Sequence, residues 1–433
     1  MLRVPWRFPL LISACVVLGQ LFRLSPLADA VAGTAPAGVR LAYPLAHVAL
    51  APFTLLADWL NGSPARDLQG AAAWAVAAFL LVRVARWRGG PAGAGVRTVR
   101  EVRAAALFLV PLTAFLAWGA LLPRPIPRFV AADGDAIVFD VHSHTSASHD
   151  GRRGFGAAAN SAWHARAGFD AAFVTDHNTT RAIRAWLADA PRGTPPRLLP
   201  GVELSLSGLH LLALGIEDGV DNSPYRNAWD ATGRLIRALA AGRIPTSGTT
   251  KTAAPADTGV PLTTRPFLVA SLPEYWRQHW GTDIDTLVEW GVGGFEIWTS
   301  SPRAMDFPPA LRRQMIARCQ RGGLAMFGAT DMHGLGYLAS VWNVARLPGW
   351  RTLDAAALGP ALVERFRREG AAANQVVAMR RWLPETGAGA VVAVPGNLVL
   401  LLRTATPAHG AALLAWSWLP AVLTGLRRRA PRS

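Results

Sequence analysis

The sequence predicts an α/β fold of the kind found in small or incomplete β/α barrels, flanked by transmembrane helices. Three observations predict it. Short apolar runs alternate with helix-compatible segments in the middle of the chain, ionisable residues stand where most of those runs end, and long uncharged segments lie near both termini. Alternating strands and helices are typical of a parallel sheet, and uncharged segments of this length are typical of membrane proteins.

The composition separates the chain from an ordinary soluble enzyme. Of its 433 residues, 51% are hydrophobic and 17% are charged, whereas soluble domains have roughly 25% charged residues. The 44 Lys and Arg outnumber the 28 Asp and Glu, which gives a net charge of +16. Much of this charge flanks apolar segments instead of forming one basic face, so we expect a lipid bilayer and not a nucleic acid as partner. The apolar content also excludes intrinsic disorder.

The N-terminal region, residues 1–125, is predicted to be a membrane region. Residues 104–123 form an uncharged segment of 20 residues between Arg103 and Arg124, enough to span a hydrocarbon core of about 30 Å. Three weaker apolar runs precede this segment, at 8–22, 41–57 and 68–82. We therefore expect about three or four transmembrane helices in this region.

The C-terminal region, residues 386–433, is predicted to add one or two membrane segments with a basic tail, because 386–402 and 404–426 are uncharged apart from Arg403 between them. The orientation depends on how many of the weak N-terminal runs cross. If one of them does not cross, the positive-inside rule places the central domain outside the cytoplasm; if all three cross, the domain is cytoplasmic. We expect an integral protein of a bacterial inner membrane with its central domain on the extracytoplasmic side.

The central region, residues 133–385, is predicted to be the catalytic domain. Seven apolar runs are predicted strands, at 136–140, 171–175, 197–203, 209–216, 266–272, 294–298 and 324–330. Helix-compatible segments fall between most of them, at 156–167, 226–241, 281–290 and 308–321. Seven strands in about 200 residues suit a small barrel.

Histidines and carboxylates cluster where these strands end. They are His142 and His144 after the first strand, Asp176 and His177 after the second, Glu203 at the end of the third, His210 near the start of the fourth, and Asp331 and His333 after the last. With His149, six of the 10 histidines of the chain occupy such positions. Barrel enzymes build their active sites at strand ends, so we expect these residues to form the site.

These residue types point to metal chemistry. His142 and His144 are two positions apart on extended chain, so both rings project from one face and offer two nitrogens to one cation. Asp331 and His333 repeat the spacing with one carboxylate. Together with Glu203 they give nitrogen and oxygen ligands without thiolate, which suits Zn, Mn or Fe. More than four ligands indicate two or more metals, which together can clamp the oxygens of a displacement at phosphorus or a carbonyl.

Other chemistries have little support. The two cysteines, Cys15 and Cys319, exclude a disulfide scaffold and a cysteine-based zinc site. The chain contains no GxSxG, GxGxxG or GxxxxGK[ST] string, so neither a serine esterase nor a dinucleotide- or nucleotide-binding loop is indicated.

At these residues the chain resembles the PHP (polymerase and histidinol phosphatase) superfamily of metal-dependent phosphoesterases. Four motifs match in order across residues 137–335: DVHSHTSASHDG, FVTDHN, PGVELS with HLLALGI, and GATDMHG. The resemblance implies a distorted seven-stranded β/α barrel of the PHP type. It also implies two or three divalent metal ions at the carboxyl ends of the strands.

The resemblance also implies roles for single residues. The implied metal ligands are His142, His144, His177, Glu203, His210, Asp331 and His333. One further ligand is implied five or six residues after His144, where His149 and Asp150 are both present. Asp176 and His210 are the implied catalytic residues, Asp176 by orienting His177 or handling a proton. One departure is Leu272, which stands where family members commonly carry a ligand histidine.

We therefore expect a metal-dependent hydrolase. The favoured activity is that of a phosphoesterase acting on a small phosphorylated substrate, a phosphate monoester or a nucleotide, through a metal-activated hydroxide. Two alternatives stay open: a hydrolase of amide or carbamate bonds, and a degenerate metal-binding barrel that signals through its membrane helices.

Overall fold

The computed structural model describes residues 6–85, 94–189, 196–245, 259–271, 284–301, 307–336, 338–381 and 389–429. Its strands are β1 Leu27–Asp29, β2 Val39–Ala42, β3 Arg128–Ala131, β4 Ala136–Asp140, β5 Ala171–Val174, β6 Arg197–Leu206, β7 Leu209–Leu214, β8 Arg243–Ile244, β9 Val260–Pro261, β10 Phe267–Ser271, β11 Gly294–Thr299, β12 Ala325–Ala329, β13 Val341–Arg346 and β14 Gln375–Met379.

The helices fall into two groups. The N-terminal and C-terminal ones are α1 Arg7–Leu21, α2 Leu45–Ala49, α3 Ala51–Asn61, α4 Ala65–Ala85, α5 Ala94–Leu121, α12 Gly389–Thr404 and α13 Pro407–Arg429. Those between the strands are α6 Ala157–Ala167, α7 Arg181–Asp189, α8 Trp229–Ala240, α9 Ile284–Glu289, α10 Pro309–Gly322 and α11 Ala355–Glu369, with single 3-10 turns at Trp350–Thr352 and Gly370–Ala372.

Local sequence explains where several helices begin and end. The Asp354 side chain accepts a hydrogen bond from the Ala357 N–H and caps the start of α11. Helix α6 ends because Gly168 takes a left-handed conformation, with φ +93. A Cβ at Gly168 would lie 2.2 Å from the Phe129 carbonyl oxygen, so the chain can pass β3 at this point only with glycine.

In the part of the chain that the structure describes, the main sheet has ten strands, so the prediction of a seven-stranded barrel is wrong. The strand order is β1-β14-β13-β4-β5-β6-β7-β10-β11-β12. All seven predicted strands are present, and the three additional ones, β1, β13 and β14, join on the free side of β4 through antiparallel pairs. The α/β class is confirmed, as a curled half-barrel.

Six strands of the sheet run in the same direction. Strands β4, β5 and β6 are parallel neighbours, as are β10, β11 and β12. Strand β7 is antiparallel to both β6 and β10 and connects the two groups. The carboxyl ends of all six strands therefore lie on one side of the sheet, where a site can draw on each of them.

The side chain of Asn343 in β13 joins the two arms of the curled sheet. Its Oδ1 accepts from the Gly328 N–H at 2.8 Å, and its Nδ2 donates to the Gly328 carbonyl at 2.7 Å and to the Phe139 carbonyl at 3.1 Å. The amide thus takes the place of a backbone ladder between β12 and β13. Asn343 is fully buried. Water therefore cannot take over the hydrogen bonds that its amide makes to these backbone groups.

Helix α11 packs at the opposite end of the curled sheet from the strand carboxyl ends. Phe366 contacts the rings of Phe267, near the start of β10, and of Phe327 in β12, with centroids 5.6 and 4.9 Å apart. Leu199, near the start of β6, belongs to the same buried cluster. This apolar packing leaves the carboxyl end of the sheet open for polar side chains.

Two helices among the described residues are long and apolar enough to cross a membrane: α4, Ala65–Ala85, and Thr98–Leu121 of α5. Val392–Thr404 and Pro407–Thr424 give a third candidate if this pair, bent by 115°, counts as one span. Helix α1 is apolar but has only 15 residues. The weak run at 41–57 does not form one long helix, because it comprises the end of β2, all of α2 and the start of α3.

Candidate metal centre

The carboxyl ends of four parallel strands bring the predicted site residues together. His142 and His144 follow β4, His177 follows β5, and Glu203 lies within β6. Two bridges continue the sheet at this point and fix the spacing, one between Ser143 and Met332 and one between His177 and Glu203. The loop after β12 adds Asp331 and His333, so residues separated by nearly 200 positions in the chain converge.

Glu203 lies at the centre of this site. Its Oε2 atom is 3.0 Å from Nε2 of His142, 3.2 Å from Nε2 of His144 and 3.4 Å from Nδ1 of His177. Its Oε1 atom is 2.6 Å from Nδ1 of His210 and accepts a hydrogen bond from Ser271 at 3.3 Å. One buried carboxylate therefore faces four imidazoles.

His142 is fixed in orientation by a carboxylate that the sequence analysis missed. Its Nδ1 atom lies 2.7 Å from Oε1 of Glu296 in β11, and its Nε2 atom points to Glu203 and, at 3.4 Å, to Oδ1 of Asp331. A carboxylate behind a histidine is the usual arrangement around a bound metal. The signal in the sequence was a single glutamate inside the apolar run GFEIW, since a buried carboxylate requires a partner.

Asp150, His177 and His333 form the outer part of the cluster with His144. Oδ2 of Asp150 lies 3.0 Å from Nε2 of His333 and 3.3 Å from Nε2 of His177. The His144 and His333 rings stack with centroids 4.0 Å apart. His149 is exposed and places its ring 4.8 Å from that of His177. Of the two alternatives that the first motif offers, Asp150 is the one whose ligand atoms join these histidines.

Asp176 supports the loop that carries the first two histidines. Its Oδ1 accepts from the Thr145 N–H at 2.6 Å and its Oδ2 from the Thr145 hydroxyl at 2.7 Å. Among the described contacts none joins the Asp176 side chain to the His177 ring, and its two bonds to Thr145 hold the segment after His144.

Asp331 contacts both histidines that follow β4, His142 through its backbone and His144 through its side chain. It adopts φ 51, an uncommon conformation for a residue other than glycine, and its N–H donates to the His142 carbonyl at 3.0 Å. Its Oδ1 lies 3.2 Å from Nε2 of His144. A strained backbone at a residue aimed into a site is typical of functional positions.

The electrostatics of the cluster are dominated by carboxylates facing imidazoles. Burial opposes protonation of His142, but Glu203, Glu296 and Asp331 outweigh burial and raise its pKa well above the ordinary value. Against the same burial effect, Asp331 and Glu203 raise the pKa of His144 to about 9. Burial raises the pKa of Glu296, against the effect of His142. The protonated forms of His142 and His144 are therefore favoured at neutral pH.

The donor set fits divalent metal ions. Three groups of ligand atoms each lie within 4.8 Å of one another: His144, Asp150, His177 and His333; His142, His144 and Glu203; and His177, Glu203 and His210. Nε2 of His333 is buried without a hydrogen bond, although a carboxylate oxygen lies 3.0 Å away. Nitrogen and carboxylate donors converging in this way suit Zn, Mn or Fe. Glu203, a carboxylate with two oxygens, belongs to two of these groups.

The structure thus brings together the side chains of all seven residues that the sequence motifs imply as metal ligands, and Asp150 lies with them. They are His142, His144, His177, Glu203, His210, Asp331 and His333. Leu272 lies outside the described residues. The residue before it, Ser271, bonds Glu203 and the His210 carbonyl.

Comparison with models of known protein families gives no match, and neither does comparison with curated proteins. Solved structures similar to this chain at low identity include the following three. A candidate metal-dependent phosphoesterase from Bifidobacterium adolescentis is 18% identical, with a TM-score of 0.28 over 45% of this chain and 87% of that chain. PsfC from Pseudomonas syringae is 17% identical, with a TM-score of 0.35 over 61% and 98%.

The third is an amidohydrolase from Chromobacterium violaceum with bound sulfate and no metal, 17% identical, with a TM-score of 0.27 over 49% of this chain and 92% of that chain.

Proposed function

We propose that this chain is a metal-dependent phosphoesterase whose catalytic unit is residues 133–385. The observation that carries the proposal is the position of Glu203, whose Oε2 atom lies within 3.4 Å of ring nitrogens of His142, His144 and His177. A carboxylate shared in this way suits two or three adjacent divalent cations. Such cations neutralise phosphate oxygens and lower the pKa of water towards neutrality.

The residues of the chain have distinct tasks in this proposal. Glu296 holds His142 with Nε2 directed inward, and Asp176 holds the loop of His144 through Thr145. His210 has a side chain that is 25% exposed and lines the cavity in front of the cluster. Glu203 holds its Nδ1 atom, and in this proposal the ring gives a proton to the leaving oxygen of the substrate.

A phosphate ester suits this site better than a neutral amide does. The cluster offers three overlapping ligand groups, and several cations side by side match the several charged oxygens of a phosphoryl group. An amide carbonyl presents one oxygen, for which one or two cations suffice. The greater negative charge of a phosphoryl group, compared with a neutral amide carbonyl, therefore supports phosphorus as the reaction centre.

The proposal is tested with the full-length chain in detergent. We expect release of inorganic phosphate from p-nitrophenyl phosphate or nucleoside monophosphates, its loss with a chelator, and its return with Mn²⁺ or Zn²⁺. Glu203→Gln should lower kcat/KM at least about 100-fold, the effect typical of losing a charge-stabilising group. Glu289→Gln, at an exposed helix position, is the matched control. Equal activity in both variants, or cleavage of anilides without phosphate release, would refute a phosphoesterase.

We also propose that α4 and α5 anchor the chain in a bacterial inner membrane, with the metal centre on the extracytoplasmic side. Asp189 is exposed at the end of α7, so Asp189→Cys reports the side of the membrane once the exposed native cysteine is removed by Cys15→Ser. A membrane-impermeant maleimide should label this variant in cells with an intact inner membrane. Labelling only after lysis would place the metal centre in the cytoplasm.

A further inference from the structure

The cavity in front of the metal cluster has two unlike walls. It encloses about 670 Å³. One wall is the cluster itself, with Asp150, His177, Glu203, His210, Asp331 and His333. The other wall comes from the helices outside the sheet: Ala57 and Leu60 of α3, Leu68 of α4, and Phe115 and Leu116 of α5. A small hydrophilic phosphate would use only the first wall.

The apolar wall is fixed directly to the metal-binding loop. The Gly336 N–H, three residues after His333, donates to the Ala120 carbonyl at the end of α5, at 3.0 Å. Asn61 Nδ2 donates to the Gly119 carbonyl at 3.0 Å and to the Ala57 carbonyl at 2.7 Å. A Cβ at Gly119 would lie 3.3 Å from Cβ of Ala57, so glycine lets α3 and α5 approach closely. The cluster and the helices thus form one built cavity.

The apolar surface continues from the cavity onto the candidate membrane helix. Leu116 lines the cavity and is 44% exposed, and Leu335, two residues after His333, lines it and is 55% exposed. Leu116 belongs to the segment Thr98–Leu121 that is long and apolar enough to cross a bilayer. A hydrocarbon chain can therefore lie along Leu116 of α5 and extend into the cavity in front of the cluster.

We propose that the substrate is an amphiphile: a phosphate monoester of a long-chain lipid alcohol, with its phosphate at the cluster and its chain along α3 and α5. The inference rests on the proposed phosphoesterase function. The water oxygen forms the new bond to phosphorus, the bond between phosphorus and the lipid oxygen breaks, and that oxygen takes a proton. The products are inorganic phosphate and the lipid alcohol, which returns to the bilayer.

The test compares n-alkyl phosphates of increasing length, with the full-length protein in phosphatidylcholine nanodiscs. We expect kcat/KM for phosphate release to rise at least about 100-fold from butyl to dodecyl phosphate, since each buried methylene strengthens binding. Partition of longer chains into the bilayer would raise the rate as well, so variants of the wall are needed to separate the two effects.

Leu116→Ser and Leu107→Ser form a matched pair on α5. Leu107 is 68% exposed and is absent from the cavity lining. It precedes Leu116 by nine residues, or two and a half helical turns, and so lies on the opposite face. We expect the ratio of dodecyl to butyl kcat/KM to fall about fivefold in Leu116→Ser and to stay at the wild-type value in Leu107→Ser.

Binding gives a readout that does not depend on turnover. A dodecyl phosphonate with a diazirine at its chain end is not hydrolysed and should crosslink to peptides of α3 and α5, in competition with dodecyl phosphate. Three results would overturn the lipid substrate without affecting the proposed phosphoesterase activity. They are a kcat/KM that does not depend on chain length, the same ratio of dodecyl to butyl kcat/KM in Leu116→Ser and Leu107→Ser, or crosslinks to peptides outside α3 and α5. No phosphate release at any chain length would overturn both.

Discussion

Nδ1 of His142 lies 2.7 Å from Oε1 of Glu296, and both side chains are fully or almost fully buried. This pair turns Nε2 of His142 towards Glu203 and Asp331. It also joins β4 to β11, two strands that are not neighbours in the sheet. Since β4 and β11 do not pair, it is the curl of the sheet that brings Glu296 close to His142 and so orients the His142 ring.

We expect Glu296→Gln to lower the affinity for Zn²⁺ or Mn²⁺ about 10- to 100-fold, because the amide holds the His142 ring less firmly and makes its nitrogen less basic. Competition with a fluorescent chelator measures the affinity. Glu289→Gln, at an exposed position of α9, should bind as the wild type does. Wild-type affinity in Glu296→Gln would show that this carboxylate does not support a ligand.

The affinity for metal should rise with pH. The pKa of His144 is raised to about 9 in the metal-free protein, so a cation must displace a proton at neutral pH. Each displaced proton makes the affinity about tenfold higher per pH unit until the ring has lost its proton. Titrations at pH 6.5 and pH 8.5 (roughly two units apart) test this, and equal affinities would contradict it.

The same proton stabilises the metal-free fold. Because the pKa of His144 in the folded chain is raised, its contribution is complete below its ordinary value and is lost as the pH rises through about 9. The chelator-treated protein should therefore have a lower Tm at alkaline than at neutral pH. The metal-loaded protein should lose less, since a cation takes the place of the proton that titrates. A chelator-treated Tm that does not fall would contradict the assignment.

Arg124→Met should destabilise the junction between the apolar helices and the sheet. Arg124 Nη1 pairs with Oδ1 of Asp58, with both side chains almost fully buried, and Asp58 also contacts His47 at 2.8 Å. Removing one partner of a buried pair costs about 3–5 kcal/mol, which should appear as a lower Tm of the detergent-solubilised chain. Arg128→Met, at an exposed position in β3, is the control. Equal Tm values would show that the pair is not needed.

Asn343→Leu should weaken the contact between the two arms of the sheet. The change leaves the Gly328 N–H and carbonyl without their bonds of 2.8 and 2.7 Å, and each buried unpaired group costs about 1–3 kcal/mol. We expect a lower Tm and faster hydrogen exchange at Gly328. Unchanged exchange at Gly328 would mean that the strands are held together by other contacts.

The sequence indicated seven strands of the main sheet and missed β1, β13 and β14. Strand β13 contains Asn343 among its apolar residues, and β1 has only three residues. Strand β1 lies between apolar helices and reaches the sheet only by pairing with β14, some 350 positions away. No local pattern reports such a pairing, so the strand count could not be predicted.

Motif spacing indicated which side chains meet, but not how each is held. His142, Glu203 and Asp331 converge as expected from strand ends that share one side of the sheet. Glu296 was missed because it belongs to no motif and is identified only by its burial. The bonds of Asp176 to Thr145 depend on side-chain rotamers, which the order of residues does not determine.

The metal content of the full-length chain, and of its Glu203→Gln variant, tests the central claim most directly. Elemental analysis of the purified protein should find about two or three divalent ions per chain in the wild type and less than one in the variant, because Glu203 faces all of the inner histidines. Glu289→Gln should keep the wild-type content. A folded wild-type chain that holds no metal, or a Glu203→Gln chain that holds as much as the wild type, would contradict the account.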